Sequence, residues 1–106
     1  VLIRALDITD GEDLARRRRR NATCKRALLA NGPGKVTQAL ALDRTQNGLV
    51  LRSSRCPLRL YAATKKPRSL ANGPRVGVDY AGPGWVDKPW RWWESGFPVV
   101  NSKSND

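Results

Sequence analysis

A glycine-proline turn, Asn31-Gly32-Pro33-Gly34, leads without a break into Lys35-Val36-Thr37-Gln38-Ala39-Leu40-Ala41-Leu42, and the physics of that junction leaves few conformations open. Either Asn31 or Gly32 can serve as N-cap, and Pro33 suits the first helical position, where its missing N–H has no partner to lose. A short amphipathic helix is expected to begin here. Val36, Ala39 and Leu40 fall on one of its faces, which predicts a helix pinned to a core with its start open to solvent. Unpaired amides at a helix start attract anions, Gly34 lets a ligand approach the backbone, and Lys35 adds a full positive charge. A phosphate is the natural guest of Gly32, Gly34 and Lys35. A capped structural helix with an incidental lysine is the plainer alternative. A Walker loop is excluded, because its first glycine would fall at Leu29 and Lys35 is followed by Val36 rather than Ser or Thr.

Charge suggests what such a phosphate belongs to. Twenty Lys and Arg against nine Asp and Glu give a formal charge of +11 on 106 residues. The expected partner is a polyanion, with nucleic acid the first candidate and an acidic membrane surface or the ribosome the next. Asp10-Gly11-Glu12-Asp13 reads as the start of another helix, Asp10 as its N-cap and Glu12 and Asp13 in its first turn. That helix runs into Arg16-Arg17-Arg18-Arg19-Arg20. Five successive helical side chains point in all directions, so they form a solvated, fraying end, or else two or three of them, among Arg17, Arg18 and Arg20, meet phosphates. A nuclear-localisation run also fits, and Asn21-Ala22-Thr23 fits a glycosylation sequon with nothing to suggest secretion.

The chain contains no histidine and no cluster suited to a metal, so neither metal nor cofactor is expected. No apolar run approaches the roughly 20 residues that span a bilayer, and no signal peptide is visible. Cys24 and Cys56 can pair or stay reduced, and a reducing compartment is the default. Residues 1–100 are expected to form one domain, with residues 101–106 a polar tail.

Short strands are expected at Val1–Leu6, Leu49–Leu51, after the turn signal Asn47-Gly48, and Leu58–Tyr61. Residues 62–74 read as a basic loop. Arg75–Tyr80 alternates, with Val76, Val78 and Tyr80 on one face. Gly82-Pro83-Gly84-Trp85 is an irregular turn. Trp90-Arg91-Trp92-Trp93 is a strand whose aromatics either fill the core or stack on unpaired bases. Phe97–Val100 can add an edge strand. Arg4, alone among apolar neighbours, either reaches solvent or Asp7, or serves a function. Asp79 is read as a structural carboxylate at a strand end. The resulting fold class is α+β, a curved, mainly antiparallel and partly open barrel-like sheet with two or three short helices.

Four of these segments, in order, resemble one family. Asn31-Gly-Pro-Gly-Lys-Val-Thr-Gln-Ala-Leu is similar to a signature of the alkyladenine (3-methyladenine) DNA glycosylases. Val1-Leu-Ile-Arg-Ala-Leu-Asp, Pro74-Arg-Val-Gly-Val-Asp-Tyr-Ala-Gly and Asp87-Lys-Pro-Trp-Arg-Trp-Trp resemble three of its strands. The match covers nearly all of this chain and about the C-terminal half of a family member. The turn at Gly82-Pro83-Gly84-Trp85 departs from the family's more compact one.

The resemblance implies a DNA-repair hydrolase that flips a damaged purine out of duplex DNA and cleaves its N-glycosidic bond without a metal. It implies that Leu2 and Arg4 line the approach to the flipped base and that Gly32, Gly34 and Lys35 hold DNA. It also places the catalytic glutamate upstream of the segment matching Val1, so no catalytic residue is assigned. With no methionine and an opening inside an apolar strand, the chain is expected to be a fragment, inactive by itself. A monomer acting on double-stranded DNA is expected, in the nucleoid if bacterial and the nucleus if eukaryotic. A non-catalytic basic nucleic-acid-binding domain, or a remnant whose charge is incidental, stays open beside it.

Overall fold

The computed structural model describes residues 1–96. In chain order it contains helix α1 (Glu12–Arg18), a single 3₁₀ turn (Arg26–Leu28), helix α2 (Pro33–Ala39), a second 3₁₀ turn (Arg44–Gln46), strand β1 (Leu70–Gly73), a third 3₁₀ turn (Asp79–Ala81) and strand β2 (Arg91–Glu94). α1 packs on α2, and β1 pairs with β2. The class is α+β as expected. The sheet, however, is an open antiparallel pair rather than a larger curved one.

The core lies on the helical side. Ile8, Ala15, Leu29, Ala30, Val36 and Ala39 are buried together, with Leu6, Cys24 and Leu40 against them. Three alanines at the contact let the helices approach closely, while Leu29, Ile8 and Val36 supply the volume. The face expected of α2 is the one it buries. The Leu6 amide donates to the Ala30 carbonyl at 2.9 Å, tying the N-terminal segment to the entrance of α2.

Both helices end in the same way. Behind α1, the Arg20 amide donates to Arg17 O and the Asn21 amide to Arg16 O; behind α2, Ala41 donates to Gln38 O and Leu42 to Thr37 O. This is the Schellman arrangement, and it puts Arg20 and Ala41 at φ 52° and 54°. α2 therefore stops at Ala39 although the apolar pattern continues to Leu42. A side chain in the left-handed region costs about 1 kcal/mol. Ala41→Gly is expected to raise unfolding stability by about 0.5–1 kcal/mol in a urea titration, with the helical circular dichroism unchanged.

The start of α1 departs from expectation. Gly11, at φ 74°, is the N-cap, and no side chain caps the helix. The chain enters α1 through a left-handed turn that glycine takes without strain, which leaves Asp10 one residue too early to serve. At α2 the cap is Gly32, with Pro33 at the first helical position. Asp43 caps the second 3₁₀ turn in a capping box with Gln46. The Thr45 hydroxyl and amide that donate to its carboxylate hold Asp43 below the usual carboxylate range.

The expected strands are mostly absent. Residues 1–6 are irregular, as are 49–51 and 58–61, where one backbone bond, Leu60 to Leu51, is all that joins the two segments. Arg75–Tyr80 is not a strand: Gly77 sits at φ 73°, which breaks an extended run, and a 3₁₀ turn follows. Val78 is buried and Tyr80 exposed, so the two do not share the one face expected of them. The strand lies instead at Leu70–Gly73, inside the stretch expected to be a loop. Its register, Asn72 opposite Trp92 and Gly73 opposite Arg91, sets Gly73 under the Trp93 ring, where a Cβ would come within 3.3 Å of the indole. The Asn72 side chain donates to Pro89 O at 3.1 Å. Asn72-Gly73 is thus held by its partner strand rather than by its own turn preference. The strand expected at 97–100 and the tail at 101–106 lie outside the described residues.

Candidate nucleic-acid interface

The arginine run does not behave as one group. Arg16 pairs with Glu12 one turn back and donates to Cys24 O at 3.1 Å. Arg18 donates to Ala39 O at 3.1 Å, and Arg19 to Leu29 O at 2.9 Å and Gln38 Oε1 at 2.8 Å. Arg18 and Arg19 thereby satisfy carbonyls at the C-terminal end of α2 and at the loop before it, where the helix dipole favours positive charge. The expectation of a fraying end is corrected: the run is the strap that fixes α1 to α2. Arg17 and Arg20 are exposed and line a shallow cleft with Asp13, Asn21 and Ala22. Arg19→Ala should lower unfolding stability by about 1–2 kcal/mol and Arg17→Ala by less than about 0.5 kcal/mol, as read by urea unfolding.

The start of α2 is open. A Cβ added at Gly32 or Gly34 would meet nothing within 4 Å. Gly32, at φ −165°, is ordinary extended backbone. The first-turn amides of Gly34 and Lys35 have no intrahelical acceptor. The Lys35 ammonium donates to Asn31 Oδ1 at 2.8 Å on the exposed surface, which steers it over the turn. Arg17 and Arg20 belong to α1 and the turn that ends it, and Lys35 stands in the first turn of α2.

Leu2 and Arg4 lie elsewhere. Arg4 donates to Val76 O at 3.1 Å, so it neither reaches Asp7 nor stands free. Asp7 is held by Arg26 in a two-pronged pair at 2.9 Å. Leu2 and Arg4 form one wall of a groove whose other walls are residues 75–78 and β2.

Along that groove Trp90, Arg91 and Trp93, singled out in the sequence as aromatics interleaved with arginine, are joined by Arg75 and, at Trp90, by Lys88. Lys88 lies 5.2 Å from the centroid of Trp85 and 5.5 Å from that of Trp90, and the Arg75 guanidinium lies 5.1 Å from Trp90. Arg91 stacks on Trp93 at 4.6 Å. The aromatics of this strand, Trp90 and Trp92 among them, were expected either to fill the core or to stack on unpaired bases. Both indoles are exposed, and the alternation of aromatic and arginine was the available signal for these cation–aromatic contacts. Asp79 is exposed in the third 3₁₀ turn. Cys24 and Cys56 are free thiols. Among the described residues no group of three or more His, Cys, Asp or Glu could hold a metal, and no helix is long and apolar enough to cross a membrane.

Residues 1–98 match the family model of methylpurine-DNA glycosylase. The chain belongs to that family. The match extends across all four segments whose resemblance was noted, and it takes in the arginine strap between them. A Mycobacterium tuberculosis protein, named provisionally as a 3-methyladenine DNA glycosylase, is 42% identical over 103 residues, covering 96% of this chain and 47% of its own length. A Nocardia farcinica protein of the same name is 40% identical, with 96% and 46% covered. A third, from Mycobacterium leprae, is 36% identical over 102 residues, with 96% and 44% covered. The chain thus spans about half the length of the curated relatives it matches.

Proposed function

We propose that this chain is the DNA-holding portion of an alkylpurine DNA glycosylase of base-excision repair. The observation that carries this reading is the family match over residues 1–98. The net charge of +11 and the exposed cations Arg17, Arg20 and Lys35 support it. A base inside a duplex is unreachable, so an enzyme that removes it extrudes the nucleotide and holds the distorted backbone by its phosphates. Lys35 with the Gly32–Gly34 backbone takes one phosphate. Arg17 and Arg20 take others, whereas Arg18 is held by Ala39 O. Leu2 and Arg4 stand on the nucleotide side.

The reaction is hydrolysis of the N-glycosidic bond of an alkylated purine. A carboxylate removes a proton from water, the water oxygen bonds to the sugar carbon, and the base departs with the bond's electrons. No residue of this chain is assigned as that carboxylate. The chain works as a monomer on double-stranded DNA.

The test is single-turnover release of hypoxanthine or 3-methyladenine from a labelled duplex, by this chain and by this chain joined to the remainder of the Mycobacterium tuberculosis relative. Release only by the joined protein is expected. No release by a joined protein that is folded and binds the duplex would overturn the reading. Equal, salt-sensitive binding to damaged and undamaged duplex would then leave a basic DNA-binding module.

A further inference from the structure

Asparagine followed by glycine occurs three times in the sequence, at Asn31-Gly32, Asn47-Gly48 and Asn72-Gly73. The local chemistry of the three is the same, because glycine has no side chain to shield its own amide nitrogen. The fold treats them differently. At the first, Asn31 Oδ1 accepts from the Lys35 ammonium at 2.8 Å, and the Gly32 carbonyl accepts from the Val36 amide at 2.8 Å, which fixes that segment as the start of α2. At the third, Asn72 lies in β1 opposite Trp92, its side-chain amide donates to Pro89 O at 3.1 Å, and Gly73 lies under the Trp93 ring. At the second, Asn47 and Gly48 are both exposed, and a Cβ at Gly48 would meet nothing within 4 Å. Asn47 at φ −59° and ψ 132°, with Gly48 at φ 87°, makes a type II turn closed by one bond, from the Leu49 amide to Gln46 O at 3.2 Å. The Gly48 amide has no acceptor among the described residues.

We propose that Asn47 is a site of spontaneous deamidation, set apart from Asn31 and Asn72 by the fold. The Gly48 amide nitrogen, having lost its proton to solvent base, bonds to the side-chain carbonyl carbon of Asn47. The bond from that carbon to the side-chain nitrogen breaks, and the nitrogen takes up a proton and leaves as ammonia. A five-membered succinimide remains. Water opens the ring: attack at the side-chain carbonyl leaves aspartate, and attack at the main-chain carbonyl leaves isoaspartate, whose chain runs through the former side chain. Water is the only co-reactant. An intramolecular attack proceeds from conformers that bring nucleophile and carbonyl together, and misplacing either group by about 1 Å costs about 10²-fold. Lys35 and the start of α2 hold Asn31-Gly32 away from such conformers, and β2 with Pro89 holds Asn72-Gly73. A single 3.2 Å turn bond restrains Asn47-Gly48. Either product adds a carboxylate to exposed surface and lowers the formal charge of +11 by one. Isoaspartate also lengthens the backbone between the Asp43/Gln46 capping box and Leu49, which loosens the connection after α2 and leaves the helical core in place. The inference holds whether or not the chain acts on DNA.

The experiment incubates the chain at mildly alkaline pH, folded and in parallel unfolded in guanidinium chloride, and follows each site by peptide mass spectrometry with fragmentation that separates aspartate from isoaspartate. In the folded chain Asn47 should convert at least about tenfold faster than Asn31 or Asn72. In guanidinium chloride the three rates should converge, since only the fold distinguishes them. Asn47→Gln, which would have to close a larger ring, should silence position 47 and leave the other two sites unchanged. Equal rates at the three sites in the folded chain overturn the proposal. So does a folded rate at Asn47 more than about a hundredfold below its unfolded rate, which would mean that the turn protects Asn47 as the sheet protects Asn72. A preference for Asn47 that persists undiminished in guanidinium chloride overturns it too, because flanking sequence rather than structure would then set the order.

Discussion

Leu29→Ala is expected to cost about 3 kcal/mol of unfolding stability. Among the described residues Leu29 is the largest fully buried side chain, at 0% exposure, and it sits among Ile8, Ala15, Val36 and Ala39 where the two helices meet. Truncating a buried leucine typically costs about 2–5 kcal/mol, the transfer of the lost atoms plus the cavity they leave. The surrounding alanines have no side-chain length with which to collapse into that cavity, which keeps the expectation away from the low end. The Leu29 carbonyl, which accepts from Arg19, is untouched by the substitution, so the effect reads packing alone. Urea unfolding followed by circular dichroism measures it, with Leu60→Ala as the comparison. Leu60 is 69% exposed and should change stability by less than about 0.5 kcal/mol. A loss under about 1 kcal/mol for Leu29→Ala would mean that the helix pair is not what holds the chain folded. Typical domains have only about 5–15 kcal/mol to lose, so the expected loss is a large fraction of the whole.

The helical half was legible because its signals are local. Gly32-Pro33 sets the start of α2, and the spacing of Val36, Ala39 and Leu40 sets its buried face, both within one turn of chain. The arginine run was harder. Its character as a strap depends on acceptors at Leu29, Gln38 and Ala39, ten to twenty-one residues away, which no window along the sequence brings together. The strands failed for a related reason. Val76 and Val78 alternate as a strand should, yet Gly77 takes a left-handed turn between them. Asn72-Gly73 reads as a turn, yet pairs with β2 because Trp93 covers the glycine. Strand identity lies in the partner, and alternation alone names only a candidate. Among the site residues, the openness of Gly32 and Gly34 followed from the sequence. The placement of Leu2 and Arg4 across from residues 75–78 did not, because it joins segments more than seventy residues apart.

Binding to duplex DNA is expected to weaken by about 10²–10³-fold between 50 and 200 mM salt. Each phosphate neutralised contributes about −0.9 to the slope of log K against log salt, so four or five contacts give a slope near −4. Geometry supports a number of that order rather than the whole charge of +11. Arg16, Arg18 and Arg19 are engaged inside the fold, and Arg26 is paired with Asp7. Lys35 in the first turn of α2, and Arg17 with Arg20 at the end of α1, are exposed and open to phosphates. Lys35→Ala should reduce the magnitude of the slope by about 1 and weaken binding equally across sequences, because a phosphate contact carries no base information. The triple variant Arg17→Ala, Arg20→Ala, Lys35→Ala should bring the slope near −1 to −2, as measured by fluorescence anisotropy across a salt series. A slope unmoved by the triple variant would place the DNA on another face, and the surface around Lys88 and Arg75, where cations already lie over indole rings, would be the next to test.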